Sequence, residues 1–206
     1  EYVGTYKVGL EFYLNFGREG ISRIADRAER DIFLDLKLHD IPNTVAGAVR
    51  AVSDLAPRFL TVHASGGAEM ISAAVAAAGR IDITAVTILT SLSQEDVHQI
   101  GYQGSINEIA TSLARDAAHA GARAIVCSPY EIADIRRAVG PDVSIITPGV
   151  RLVPGGDDQK RTKTPAEAIA DGANFLVIGR PITGEWHRGA DAMKEAARAI
   201  AASLGA

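Results

Sequence analysis

Cysteine is almost missing from this chain: among 206 residues only Cys127 carries a thiol, so no internal disulfide can form. That composition fits a reducing, cytoplasmic home. Cys127 closes the apolar run Ala124-Ile125-Val126-Cys127, where a free cysteine packs as a small hydrophobe, and it reads as a buried structural thiol, not a nucleophile. A basic excess is missing as well. Twenty-one Lys and Arg face twenty-five Asp and Glu, a formal net charge of −4. Proteins that bind nucleic acid generally show a basic stripe, so that class is set aside. A local basic pocket for a small anionic ligand remains open on an acidic protein. No apolar run approaches the roughly 20 residues of a membrane span, so no membrane partner is expected. The opening Glu1-Tyr2-Val3-Gly4 has neither the basic nor the apolar region of a signal peptide. The histidines His39, His63, His98, His119 and His187 show no metal-ligand spacing and no paired cysteines accompany them, so no metal site is expected. His63, at a strand end, is the least settled of the five as a structural residue.

What is present is an ordinary globular composition, 47% hydrophobic and 22% charged, and a length that suits a single domain over residues 1–206. Short apolar runs recur at 5–10, 32–36, 59–63, 83–89, 124–128, 143–147 and 174–178. Such continuous runs read as strands covered on both faces, as in a parallel sheet. Helical spacing occupies 21–30, 45–55, 106–120, 165–170 and 190–204. Thr164 before Pro165 reads as an N-cap with proline in the first turn. Gly121, Gly140 and Gly172 follow apolar-periodic segments, as helix C-terminal signals do.

Alternating strand and helix predicts an α/β protein with right-handed crossovers. A doubly wound sheet and a (β/α)8 TIM barrel both satisfy that alternation. The barrel is favoured on two grounds. No Gly-x-Gly-x-x-Gly turn follows an early strand. Polar and charged residues stand at the C-terminal ends of nearly every strand, where barrel enzymes assemble their sites. Seven strands are visible where eight are needed, and the chain opens almost directly into a strand; the expectation is that a first strand is missing from this sequence.

The strongest local signal is Asp35-Leu36-Lys37-Leu38-His39-Asp40-Ile41-Pro42-Asn43-Thr44. Asp35 and Lys37 are two apart at a strand end and should point to one side. An acid and a base turned inward are costly unless paired. Lys7 ends the preceding strand and can approach Asp35, so a Lys-Asp-Lys-Asp array with Asp40 becomes feasible, each charge holding its neighbours ionised. The plain alternative is a structural ion pair plugging the barrel mouth. Near the end, Gly179-Arg180-Pro181 follows a strand, and Thr147-Pro148-Gly149-Val150-Arg151 follows the one before. Glycine admits a ligand close to the backbone, and arginine can make paired hydrogen bonds to an oxyanion. Barrels often hold phosphate at this place. The polar loop 152–164 reads as a lid, and Thr90-Ser91 could bond a heterocycle.

The run from Asp35 to Thr44 resembles the Asp-x-Lys-x-x-Asp-Ile-Pro-x-Thr signature of the orotidine 5′-monophosphate decarboxylase family. Tyr6-Lys7-Val8-Gly9, Thr87-Ile88-Leu89-Thr90-Ser91, Thr147–Arg151, Gly156-Asp157-Asp158-Gln159-Lys160-Arg161 and Gly179-Arg180-Pro181-Ile182 look like further family blocks in family order. The resemblance implies a cofactor-free enzyme of the shorter bacterial type, a homodimer with shared active sites, and a small nucleotide substrate. It assigns Lys7, Asp35 and Lys37 to the charged cluster of one subunit. It has Asp40 join the partner's cluster, with Ile41 and Thr44 reaching across. Thr90 would touch the pyrimidine, Gln159 the phosphate from the lid, and Arg151, Gly179 and Arg180 the substrate and its phosphate. The aspartate that holds a ribose hydroxyl on the family's first strand has no counterpart here. Two rivals stand beside this reading: a sister sugar-phosphate decarboxylase of the 3-keto-L-gulonate 6-phosphate type, which needs magnesium, and a non-catalytic phosphate-ligand sensor on the same fold.

Overall fold

The computed structural model describes residues 2–27, 30–151 and 163–204. Among them, seven strands alternate with helices: β1 (Thr5–Gly9), β2 (Asp31–Leu38), β3 (Phe59–His63), β4 (Asp82–Val86), β5 (Ala124–Val126), β6 (Ser144–Thr147) and β7 (Phe175–Leu176). Their hydrogen-bonded order follows chain order, β1 to β7. That succession has no point at which the order reverses, so it is the winding of a β/α barrel and not of a doubly wound sheet. By internal contacts the chain forms two compact units.

The first unit comprises residues 4–87 and 112–125. Here β1, β2, β3 and β4 pair in parallel, with α1 (Leu10–Ala25), α2 (Pro42–Val52) and α3 (Gly67–Ala77) as crossovers. Leu34, Leu60, Val62, Ile83 and Ala85 are buried, as strands covered on both faces require. Phe33 and Phe59 meet edge to face with centroids 5.8 Å apart, tying β2 to β3 just before the charged residues begin. Pro42 does more than end a strand. It occupies the first turn of α2, after Ile41 as N-cap, because its missing N–H is one of the donors a helix start leaves unpaired anyway. The second unit comprises residues 1–3, 88–111 and 126–206. It holds α4 (Gln94–Gln99), the start of α5 (Ile106–His119), α6 (Ile132–Val139), β6, α7 (Pro165–Ala170), β7, α8 (Arg180–Thr183) and α9 (Ala190–Ala202). Its buried side chains include Val97, Ile132, Ile135, Ile145, Ile146 and Val150.

The helix signals resolve as follows. Thr164 is the N-cap of α7 and forms a full capping box: Glu167 N–H donates to its hydroxyl, and its own N–H donates to the Glu167 carboxylate. Gly140 closes α6 at φ 76, a left-handed conformation open to glycine without a Cβ penalty. Gly121 and Gly172 likewise take positive φ. Cys127 is buried, and burial, with the nearby charge of Glu131, pushes its thiol up, so it stays protonated and inert.

Several boundaries differ from the sequence reading; α2, for one, runs over Pro42–Val52 and not 45–55. α1 starts at Leu10, directly after β1, and not at 21. β4 ends at Val86, three residues short of Leu89, because β3 offers no partner beyond His63. β7 pairs over only two residues, Phe175 and Leu176.

Candidate active site

The charged cluster lies wholly within the first unit. Gly9 of β1 is the register partner of Asp35 of β2, which brings Lys7 alongside. The Lys7 Nζ donates to Asp35 Oδ2 at 3.1 Å, and the Lys37 Nζ donates to Asp35 Oδ1 at 2.7 Å. One carboxylate therefore bridges two ammoniums. The Asp35 side chain is only 12% exposed, while those of Lys7 and Lys37 are 36% and 31% exposed, so the acid is sheltered and the bases face outward where a ligand can meet them. Burial pushes the Asp35 carboxyl up; hydrogen bonding and charge from Lys37, with the charge of Lys7, outweigh it and hold the group below its usual 3.8.

A regular pleat does not bring Asp35 and Lys37 together. Between Leu34, opposite Leu60, and Leu38, opposite Val62, the register of β2 shifts. Asp35, Leu36 and Lys37 share that interval with the single residue Thr61. Lys37 accordingly adopts φ 50, a left-handed conformation that costs a side chain of its size on the order of 1 kcal/mol or more. Its backbone N–H donates to the Thr61 Oγ1 at 2.8 Å, and the Thr61 hydroxyl donates to Asp35 Oδ1 at 3.0 Å. Thr61 was not among the expected site residues. Its one sequence signal is a hydroxyl inside the otherwise apolar run Phe59-Leu60-Thr61-Val62.

Asp40, Ile41 and Thr44 are exposed in the turn from β2 into α2. The Asp40 carboxylate accepts the Ile41 N–H at 2.6 Å and, among the described residues, joins neither lysine within the chain. Ile41 is 66% exposed, an unusual setting for its side chain beside a charged array. His63, at the end of β3, stacks at a tilt on His39, with centroids 5.4 Å apart. Burial, reinforced by His39 and Lys37 against the opposing pull of Asp35, holds its imidazole below 6.5.

That shift has a consequence for stability. An unfolded chain takes up this proton near pH 6.5, and the folded one only at lower pH. The His63 contribution is thus fully present above that value and declines as pH falls toward the depressed folded value. Asp35, also depressed, keeps its contribution down to its unfolded value of 3.8 and loses it at still lower pH. The unfolding free energy, measured in urea, is expected to fall as pH drops below about 6.5. His63→Gln should flatten that slope; an unchanged slope would show that His63 does not set it.

The remaining site residues belong to the second unit. Thr90 is half-buried in the turn after β4, with Ser91 exposed beside it. Arg151 follows β6; its N–H donates to the Lys163 carbonyl at 3.1 Å, and its guanidinium donates to the Val150 carbonyl at 3.0 Å. Gly179 and Arg180 are exposed and open α8 after β7. β6 and β7 are paired neighbours, so these two Gly-Arg loops leave adjacent strand ends. A Cβ at Gly179 would meet nothing within 4 Å, leaving room for a ligand against the backbone. Gln159 and the rest of 152–162 lie outside the described residues.

Parallel strands wound in chain order, with ionised side chains paired across two adjacent strands, define a barrel-type α/β protein. Comparison with known proteins narrows this. The family model described as "Orotidine 5'-phosphate decarboxylase / HUMPS family" matches residues 1–200, and the chain belongs to that family. A curated relative from Thermobifida fusca, named orotidine 5'-phosphate decarboxylase, is 53% identical over 98% of this chain and 85% of its own length. One of the same name from Anaeromyxobacter sp. strain K is 49% identical over 98% of this chain and 87% of its own. A crystal structure of orotidine 5'-phosphate decarboxylase from Lactobacillus acidophilus aligns with a TM-score of 0.83 and 36% identity, covering 97% of this chain and 86% of that one.

Proposed function

We propose that this chain decarboxylates orotidine 5′-monophosphate to uridine 5′-monophosphate, in the cytoplasm, as a single catalytic domain and without a cofactor. The observation that carries the reading is the Asp35 carboxylate held between the Lys7 and Lys37 ammoniums on adjacent strands. The reaction breaks the bond between a ring carbon and its carboxylate. Carbon dioxide leaves, and the bonding electron pair stays on a carbon with no neighbouring electron sink. The chain can supply a substitute in the form of fixed positive charge where negative charge develops. Lys37 is that cation, and its Nζ then delivers a proton to the carbon and recovers one from solvent. Asp35 fixes its place, and Lys7, with Lys37 itself, holds Asp35 ionised.

Arg151, Gly179 and Arg180 hold the phosphate and the nucleotide, with Thr90 against the pyrimidine and Gln159 reaching in from the loop. Asp40, Ile41 and Thr44 serve the site of a second copy in a homodimer. Their exposure, and the lack of any lysine partner for Asp40 among the described residues of its own chain, support that loan.

The test follows ultraviolet absorbance after orotidine 5′-monophosphate is added to the protein with a chelator present. Loss of the orotate chromophore and appearance of uridine 5′-monophosphate is the expected result. Activity that the chelator abolishes would point to the magnesium-dependent sugar-phosphate branch, and binding without turnover to a sensor. Phosphate binding is expected to assist the chemical step as well as capture, since remote binding energy can be realised in the transition state. Arg180→Ala should therefore raise KM and also lower kcat, together by about 10²-fold or more in kcat/KM. A change in KM alone would limit Arg180 to capture.

A further inference from the structure

The reach of Lys37 is set from a residue outside the charged cluster. Four links form a closed circuit: the Lys37 backbone N–H donates to the Thr61 hydroxyl, that hydroxyl donates to Asp35 Oδ1, and the same oxygen accepts the Lys37 ammonium; the chain between Asp35 and Lys37 completes it. A hydroxyl has one proton. Because its oxygen already accepts the Lys37 N–H, that proton is committed to the carboxylate. Thr61 is fully buried, so water does not compete for either bond. The register shift gives the circuit its purpose. With three residues of β2 set against one of β3, the Lys37 N–H points to a side chain instead of a ladder carbonyl, and Lys37 is held at φ 50. A buried N–H without a partner is rare and unfavourable. Remove the hydroxyl and the left-handed turn loses the bond that holds it, while Asp35 Oδ1 loses one of its two donors.

We propose that Thr61 is a positioning residue for decarboxylation, its hydroxyl fixing the Lys37 ammonium at the point where the reacting carbon must receive charge and proton. The inference rests on the function proposed above. Thr61 touches no substrate atom in this scheme, so its loss should be felt in turnover and not in binding.

The test measures kcat, KM and uridine 5′-monophosphate affinity for the wild type, Thr61→Val and Thr61→Ser, with circular dichroism to establish folding. Valine keeps the shape and removes both hydrogen bonds; serine keeps the hydroxyl and removes the methyl. For Thr61→Val, kcat is expected to fall by about 10–100-fold, the scale of a small misplacement of a catalytic group, with KM and nucleotide affinity changing by less than about threefold. Thr61→Ser should stay within about threefold of wild type in kcat. Parallel losses in nucleotide affinity and kcat for valine, or no loss in either, would overturn the proposal. Should valine fail to fold, serine decides: near wild-type kcat assigns the effect to the hydroxyl, and a loss beyond about tenfold assigns it to methyl packing and ends the proposal. A wild type without turnover sinks the underlying decarboxylase reading, and this inference with it; an active wild type with an unaffected T61V sinks this inference alone.

Discussion

Lys37→Ala is expected to yield a folded protein that still binds uridine 5′-monophosphate and whose decarboxylation falls by at least about 10⁴-fold, the product of losing a preorganised charge and a general acid. The size follows from what that one ammonium is asked to do. It sits 2.7 Å from the Asp35 carboxylate, roughly one-third exposed, at the end of a strand that the rest of the unit buries. Lys7 cannot replace it, since it bonds the other carboxylate oxygen and approaches from β1. Truncation leaves Asp35 with Lys7 and Thr61 as donors, so the carboxylate is not stranded and the fold should survive. Single-turnover absorbance with saturating substrate, beside nucleotide binding by calorimetry, separates the two quantities. Turnover near the wild-type value would remove Lys37 from the chemistry.

The part of this site that was legible in sequence is the part that depends on strand order. Lys7 on one strand and Asp35 on the next could be placed together because consecutive strands of a barrel are neighbours, and the observed register pairs Gly9 with Asp35. The Asp35–Lys37 contact was also foreseen, but through a pleat that is absent there. Its actual cause, three residues of β2 facing Thr61, belongs to the pairing of two distant segments, and no local spacing encodes it. Thr61 was missed for the same reason.

Helix reading failed where burial does not alternate. In α1, Leu14 is 80% exposed and Phe16 60%, so the apolar residues of its first half do not mark a single inward face, and periodicity picked up only the later half around buried Ile21. In α3, Gly-Ala-Glu-Met-Ile-Ser-Ala-Ala-Val-Ala-Ala is small and apolar almost all round, which erases the 3.6-residue contrast. By contrast, α7 was read to the residue, because Thr164, Pro165 and Glu167 write its start chemically.

Mixing inactive Lys37→Ala protein with inactive Asp40→Ala protein, and allowing subunits to exchange, is expected to restore roughly a quarter of wild-type activity. The reasoning begins from Asp40, whose carboxylate bonds the Ile41 N–H and neither lysine of its own chain among the described residues. An acid displayed that way, beside a 66% exposed isoleucine, is suited to complete a site on another copy. In a two-fold dimer each site would take Lys7, Asp35 and Lys37 from one chain and Asp40 from the other. A hybrid then holds one site lacking both Lys37 and Asp40 and one site with neither lesion. Random exchange makes about half of all dimers hybrids, each with one working site of two, which gives the stated fraction. Tagging the two variants differently and purifying the doubly tagged species should raise recovery to about half of wild type. Verified hybrids that remain inactive would mean that Asp40 acts within its own chain or not at all. The charged array would then be the three residues Lys7, Asp35 and Lys37, and the exposure of Ile41 and Thr44 would need another cause.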